Sequence, residues 1–104
     1  MKKKIVVVGA TGLVGRKTIE MIKEYKLDKN DISLFASKNS VGKVFEINNK
    51  NIVVQELNED NLFKEKFDYA LFCTPENISK LYIKKLVTLG TVVIDFSSLY
   101  RKEY

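Results

Sequence analysis

The sequence predicts a doubly wound, Rossmann-like α/β domain, a mainly parallel sheet with helices on both faces, from three observations. Apolar runs that suit buried strands alternate with segments of helical periodicity. Those runs, at residues 5–8, 32–36 and 69–73, are continuous rather than alternating, as strands covered on both faces require. The first leads straight into a glycine turn, IVVVGATGLVG over residues 5–15, and a helical pattern follows at once.

The elements follow in chain order. After the strand at 5–8, Gly9 lets the chain turn sharply, Gly12 lets backbone N–H groups approach a phosphate, and Gly15 lets the helix lie close on the sheet. Thr11 is placed to cap the helix, whose apolar face carries Val14, Thr18, Met21, Ile22 and Tyr25. A polar turn at 27–31 leads to the second strand at 32–36, and SKNSVGK at 37–43 reads as a polar loop. Residues 44–47 and 52–54 flank Asn48, Asn49, Lys50 and Asn51 as a hairpin with an asparagine-rich turn. Residues 57–66 form a short helix candidate, and 69–73 the next buried strand. Thr74 then offers a cap and Pro75 a first helical residue for a helix carrying Ile78, Leu81, Tyr82, Leu86 and Leu89 on one face. Gly90 ends it, 91–96 is the last strand, and 97–104 is a polar tail.

Size and composition bound the function. At 104 residues the chain makes one domain, residues 1–104, too small for a dinucleotide enzyme with its own substrate domain. A content of 45% hydrophobic and 30% charged residues argues against disorder. No apolar run is long enough to cross a bilayer, and the run after Lys2, Lys3 and Lys4 lacks the length of a secretory signal. A single cysteine asks for no oxidising compartment, so the cytoplasm is the default and no membrane is expected as partner. The net charge of +5 comes from lysines scattered among acids, without the clusters or stripes of a nucleic-acid footprint. It suits solubility and an anionic ligand.

The glycine turn between strand and helix is the context in which such a motif holds a pyrophosphate, because the helix start offers unpaired N–H donors and the positive end of a dipole. The second strand ends at Ala36 and is followed by Ser37, Lys38, Asn39, Ser40 and then Lys43, with no Asp or Glu. A carboxylate there would bind a ribose 2′-hydroxyl; hydroxyls and a cation suit a 2′-phosphate, which selects NADP over NAD. The chain has no histidine, so neither a Cys–His pair nor a His acid can be built. Cys73, at the end of a buried strand, reads as a small hydrophobe rather than a nucleophile. No catalytic residue and no metal site are expected.

Four stretches together resemble one family, the aspartate-semialdehyde dehydrogenases, in their N-terminal NADP-binding domain: GATGLVG at 9–15, FAS..S.GK at 35–43, ALFCTP.N.SK at 70–80 and VVIDFSSLYR at 92–101. The resemblance implies an NADPH-dependent reduction of aspartyl phosphate to aspartate semialdehyde, with phosphate released through a thioester on a catalytic cysteine, in a step feeding lysine, threonine and methionine synthesis. By match, Thr11, Gly12, Leu13 and Val14 line the pyrophosphate, with Gly9 and Gly15 shaping the turn. Ser37, Asn39 and Ser40 sit by the adenosine 2′-phosphate, and Thr74 completes the cofactor set. Arg101 corresponds to the arginine that holds the substrate phosphate. The family commonly has an arginine where this chain has Asn39; Lys38 beside it supplies a cation. The family's catalytic cysteine and histidine lie beyond the point matched by Tyr104. The expectation is therefore the N-terminal part of a longer, homo-oligomeric enzyme, binding cofactor without turnover by itself. Three alternatives stay open: a domain like that of the N-acetyl-glutamyl-phosphate reductases, a stand-alone NADP-binding sensor, and a protein in which the glycines serve packing alone.

Overall fold

The computed structural model describes residues 2–98. Its main sheet has five strands in the order β5-β2-β1-β6-β7, where β1 is Lys4–Val8, β2 Asp31–Ala36, β5 Gln55–Glu56, β6 Tyr69–Phe72 and β7 Val92–Asp95. All four pairings are parallel; Val8 lies opposite Phe35 on one side and Phe72 on the other. The chain leaves β1 toward β2 through helix α1 (Leu13–Glu24) and later returns to the opposite side of β1 as β6. The strand order therefore reverses at β1, and the crevice outside the carboxyl end of that strand is where such sheets take ligands.

The continuous apolar strands are buried because each feeds two cores. On one face, Ile5, Val7, Leu34 and Leu71 pack with Ile19 and Ile22 of α1. The separate hairpin of β3 (Val44–Ile47) and β4 (Lys50–Val53) lies on the same side and contributes Phe45, Ile47 and Ile52. On the other face, Val6, Val8, Phe35 and Phe72 pack with Phe67, with Leu62 of α2 (Glu59–Leu62), and with Ile83 and Leu86 of α4 (Ile83–Thr88). Phe35 and Phe67 meet edge to face at 6.4 Å. Each fully buried aromatic or branched side chain is worth roughly 1.5–3 kcal/mol, which makes these two layers the source of stability. Cover is incomplete at one edge. Leu27, Tyr69, Val92 and Ile94 stay exposed, and Tyr69 and Ile94 line an apolar hollow beside α1.

Several elements depart from expectation for identifiable reasons. The hairpin turn is tighter than the asparagine run suggests, with Asn48 and Asn49 both at positive φ and Ile47 paired to Lys50. Residues 57–66 give only the four-residue α2, whose start is capped by Asn58 accepting from the Asn61 N–H at 2.8 Å. The helix expected to run unbroken to Gly90 is two pieces, α3 (Glu76–Ser79) and α4, because the chain leaves helical geometry at Tyr82. Leu81 and Leu89 consequently stand in solvent rather than on a common buried face. In α1 the buried positions are Gly15, Thr18, Ile19 and Ile22, while Tyr25 ends the helix exposed.

Candidate functional site

At the reversal point, the carboxyl ends of β1, β2 and β6 and the loops that follow them surround an open cleft of about 470 Å³. Gly9, Thr11 and Gly12 form its floor beside the start of α1, and Ala36, Ser37 and Lys38 form one wall. Cys73, Thr74 and Pro75 face them, and Leu57, Ile78, Leu81 and Tyr82 add an apolar flank. Among the described residues that line it, the one charged side chain is Lys38.

The floor is built from backbone. The Gly9 and Ala10 N–H groups both donate to the Phe35 carbonyl, at 2.8 and 3.1 Å, and the Cys73 N–H donates to the Val8 carbonyl at 2.7 Å. Gly9 has φ +87°, and a Cβ there would lie 2.6 Å from the Cys73 carbonyl oxygen. A Cβ on Gly15 would overlap the Gly9 carbonyl oxygen and lie 2.8 Å from the Ala10 backbone. Both glycines are thus required by the way strand, turn and helix stack, whatever is bound. Gly12 is the N-cap of α1 and no side chain caps the helix, leaving its first-turn amides to a ligand or to water.

Thr11 is therefore not the helix cap. Its hydroxyl meets the buried Ser40 hydroxyl at 2.9 Å, tying the glycine turn to the 3-10 turn Lys38–Ser40. Ser37, Lys38 and Asn39 are exposed on that turn. Thr74 is buried and its hydroxyl meets that of Ser79 at 2.8 Å, so it braces α3 from within instead of capping it; Pro75 is the N-cap. The structure gathers Gly9, Thr11, Gly12, Ser37, Lys38 and Thr74 around the cleft, with Ser40 behind Thr11. Leu13, Val14 and Gly15 lie in the first turn of α1, outside the cleft lining. Leu13 is 72% exposed, Val14 packs on the core and Gly15 is buried. Arg101 lies outside the described residues.

Cys73 is buried, with its sulfur 3.3 Å from the Thr18 hydroxyl. Burial pushes its thiol up, and the Thr18 hydrogen bond opposes that only in part, so the thiolate needed for nucleophilic attack is disfavoured. The apolar flank was not legible beforehand. Leu57 reaches the cleft by following β5, and Leu81 and Tyr82 reach it through the break between α3 and α4. A strand end followed by a helix start is the one available signal for such positions.

The chain matches, over residues 4–104, the family model described as semialdehyde dehydrogenase, NAD binding domain. It is 38% identical over 103 residues to the aspartate-semialdehyde dehydrogenase of Aquifex aeolicus, covering 99% of this chain and 30% of that enzyme. Among solved structures it superposes on aspartate semialdehyde dehydrogenase II of Vibrio cholerae complexed with ASA, with TM-score 0.84, 30% identity, and coverage of 100% of this chain and 33% of that one. It also superposes on the Candida albicans enzyme with NADP, with TM-score 0.67, 26% identity, and coverage of 99% and 32%. The chain spans about a third of the length of these relatives. With a parallel sheet reversing at β1, a glycine-floored cleft at that reversal and a match along almost its whole length, the chain belongs to the NAD-binding domain family of the semialdehyde dehydrogenases.

Proposed function

We propose that this chain is the NADP-binding, N-terminal part of an aspartate-semialdehyde dehydrogenase. The observation that carries the reading is the character of the cleft: a glycine floor beside the uncapped start of α1, Lys38 as the one charged side chain among the described lining residues, and no carboxylate in the loop 37–43. That donor set fits a dinucleotide bearing a 2′-phosphate. Gly12 and the backbone N–H groups of Leu13 and Val14 would hold the pyrophosphate, and Ser37, Lys38, Asn39 and Ser40 would hold the 2′-phosphate. Leu57, Ile78, Leu81 and Tyr82 offer the adenine an apolar surface. When bound, NADPH supplies the hydride that reduces aspartyl phosphate to aspartate semialdehyde.

The division of labour follows from what these residues can do. They bind and orient the cofactor, whereas burial pushes the Cys73 thiol up and disfavours the thiolate that attack on an acyl phosphate requires. On this reading the reacting cysteine and histidine belong to the remaining two-thirds of a longer parent enzyme, and Arg101 of this chain would hold the substrate phosphate there. Cytoplasmic placement and a homo-oligomeric parent belong to the same reading; among the described residues no helix is long and apolar enough to cross a membrane.

Calorimetric titration of the 104-residue chain with NADP and, in parallel, NAD tests it. Tighter binding of NADP is the expected result. Equal affinity removes the 2′-phosphate assignment, and a folded chain that binds neither removes the cleft as a cofactor site.

A further inference from the structure

Arg16 is not among the residues that line the cleft, yet its position is fixed from two sides. Its Nε–H donates to the Thr11 carbonyl at 2.9 Å, and its guanidinium carbon sits 5.4 Å from the centre of the Phe45 ring. The same Thr11 joins its hydroxyl to that of Ser40, so the guanidinium and the loop after β2 meet at one residue. Two anchors on an exposed arginine remove much of the rotamer freedom that a flexible cation would lose on binding an anion.

Charge makes the arrangement pointed. Arg16 is the fourth residue of α1, near the positive end of the helix, where acids are favoured and cations disfavoured. The first turn of α1 holds no acid. Among the described residues the ion pairs are Lys4–Glu65 and Lys85–Glu59, so no carboxylate answers Arg16. After the bond to Thr11, the four Nη–H donors of the guanidinium remain for a ligand. A dianionic phosphate beside Ser40 would relieve the unfavourable cation and use that planar fork, which a lysine ammonium cannot match.

Resting on the NADP reading above, we propose that Arg16 is the residue that discriminates NADP from NAD. It grips the 2′-phosphate from the α1 side while Ser37, Lys38 and Ser40 hold it from the loop. Asn39 then needs no positive charge of its own.

The test is calorimetry of wild type, Arg16→Gln, Arg16→Lys and Phe45→Leu with NADP, NAD and adenosine 2′,5′-bisphosphate at fixed ionic strength, with circular dichroism to verify folding. Arg16→Gln is expected to weaken NADP and the bisphosphate by roughly 10- to 100-fold, the scale of a lost charge-assisted contact, and NAD by less than about threefold. Arg16→Lys falls between, and Phe45→Leu gives a smaller loss with the same preference for the 2′-phosphate ligands. Equal weakening of NADP and NAD overturns the proposal, since Arg16 then serves the shared part of the cofactor. No weakening overturns it as well, leaving Arg16 to pack on Phe45. Both results leave the cleft assignment standing; a wild-type chain that binds no nucleotide overturns that assignment and the role of Arg16 with it.

Discussion

The two loops that bound the cleft are specified by different physics. The turn at residues 9–15 is fixed by exclusion: Gly9 and Gly15 sit where any Cβ collides with backbone, against the Cys73 carbonyl oxygen and the Gly9–Ala10 peptide respectively. The loop at 37–43 has no such exclusion at its Ser and Lys positions: backbone bonds such as Ser40 N–H to the Ser37 carbonyl and Gly42 N–H to the Val54 carbonyl shape it, Ser40 turns its hydroxyl inward to Thr11, and Ser37, Lys38 and Asn39 are left in solvent. A motif of the first kind reports the fold and is needed even with nothing bound. Residues of the second kind are free to choose a ligand, so selectivity is to be sought in them and in Arg16, which is tied to that loop through Thr11, and not in the glycines.

The largest effect that could break this contrast is at Gly15. Within a helix, Gly→Ala ordinarily stabilises by roughly 0.5–1 kcal/mol. Here the added methyl meets the Gly9 carbonyl oxygen, so Gly15→Ala is expected to cost about 3 kcal/mol or more, read as a lowered urea midpoint or outright unfolding. Ser37→Ala, exposed on the other loop, should stay within about 0.5 kcal/mol of wild type. A tolerated Gly15→Ala would mean that the helix can rise off the turn, and the rigid floor would have to be abandoned.

A smaller effect sharpens the comparison by asking how firmly the two loops are joined. The Thr11 and Ser40 hydroxyls at 2.9 Å are the side-chain bond between them. Removing either partner leaves the other hydroxyl part-buried, so Thr11→Val and Ser40→Ala should each destabilise by about 1–2 kcal/mol. Combined, they should cost no more than the worse single change, giving a coupling of about 1 kcal/mol in a double-mutant cycle. Strict additivity would show that the loops are held independently and that the second is positioned by its own 3-10 turn.

How much of this was legible in the sequence follows the same division. The strands at 5–8, 32–36 and 69–73 are readable because burial on both faces makes them nearly all apolar, with Ser33 the one hydroxyl inside the second. The glycine turn was readable because backbone exclusion permits one residue type. Strand β5 was not, since Gln55 and Glu56 become a strand only by pairing with Phe35 and Ala36. The hydroxyl of Thr11 points by local rules to the neighbouring helix start, because capping is the commonest use of such a residue. Its partner Ser40 lies 29 positions away, and no local rule reaches that far. Arg16 carries no local signal that sets it apart from the other charges of α1; its anchor on Phe45 depends on where the hairpin lands. Arg101 stands on the resemblance alone and lies outside the described residues.

The smallest expected effect probes the underside of the rigid turn, where the Cys73 sulfur rests against the Thr18 hydroxyl. Burial raises the thiol, so the folded state holds the proton more tightly than the unfolded chain does. That contribution to stability is fully present below the unfolded-state value of about 8.5 and is lost as pH rises toward the folded-state value. Urea midpoints measured from about pH 7.5 to 10 should therefore fall with pH more steeply for wild type than for Cys73→Ala, which has no thiol to ionise. Lysines and tyrosines titrate in both proteins over this window, and the difference between the two slopes isolates the cysteine. Parallel slopes would mean that water reaches the sulfur in the folded protein. The glycine turn would then be no better sealed beneath than the loop opposite it, and the contrast between the two walls of the cleft would rest on the Gly15 result alone.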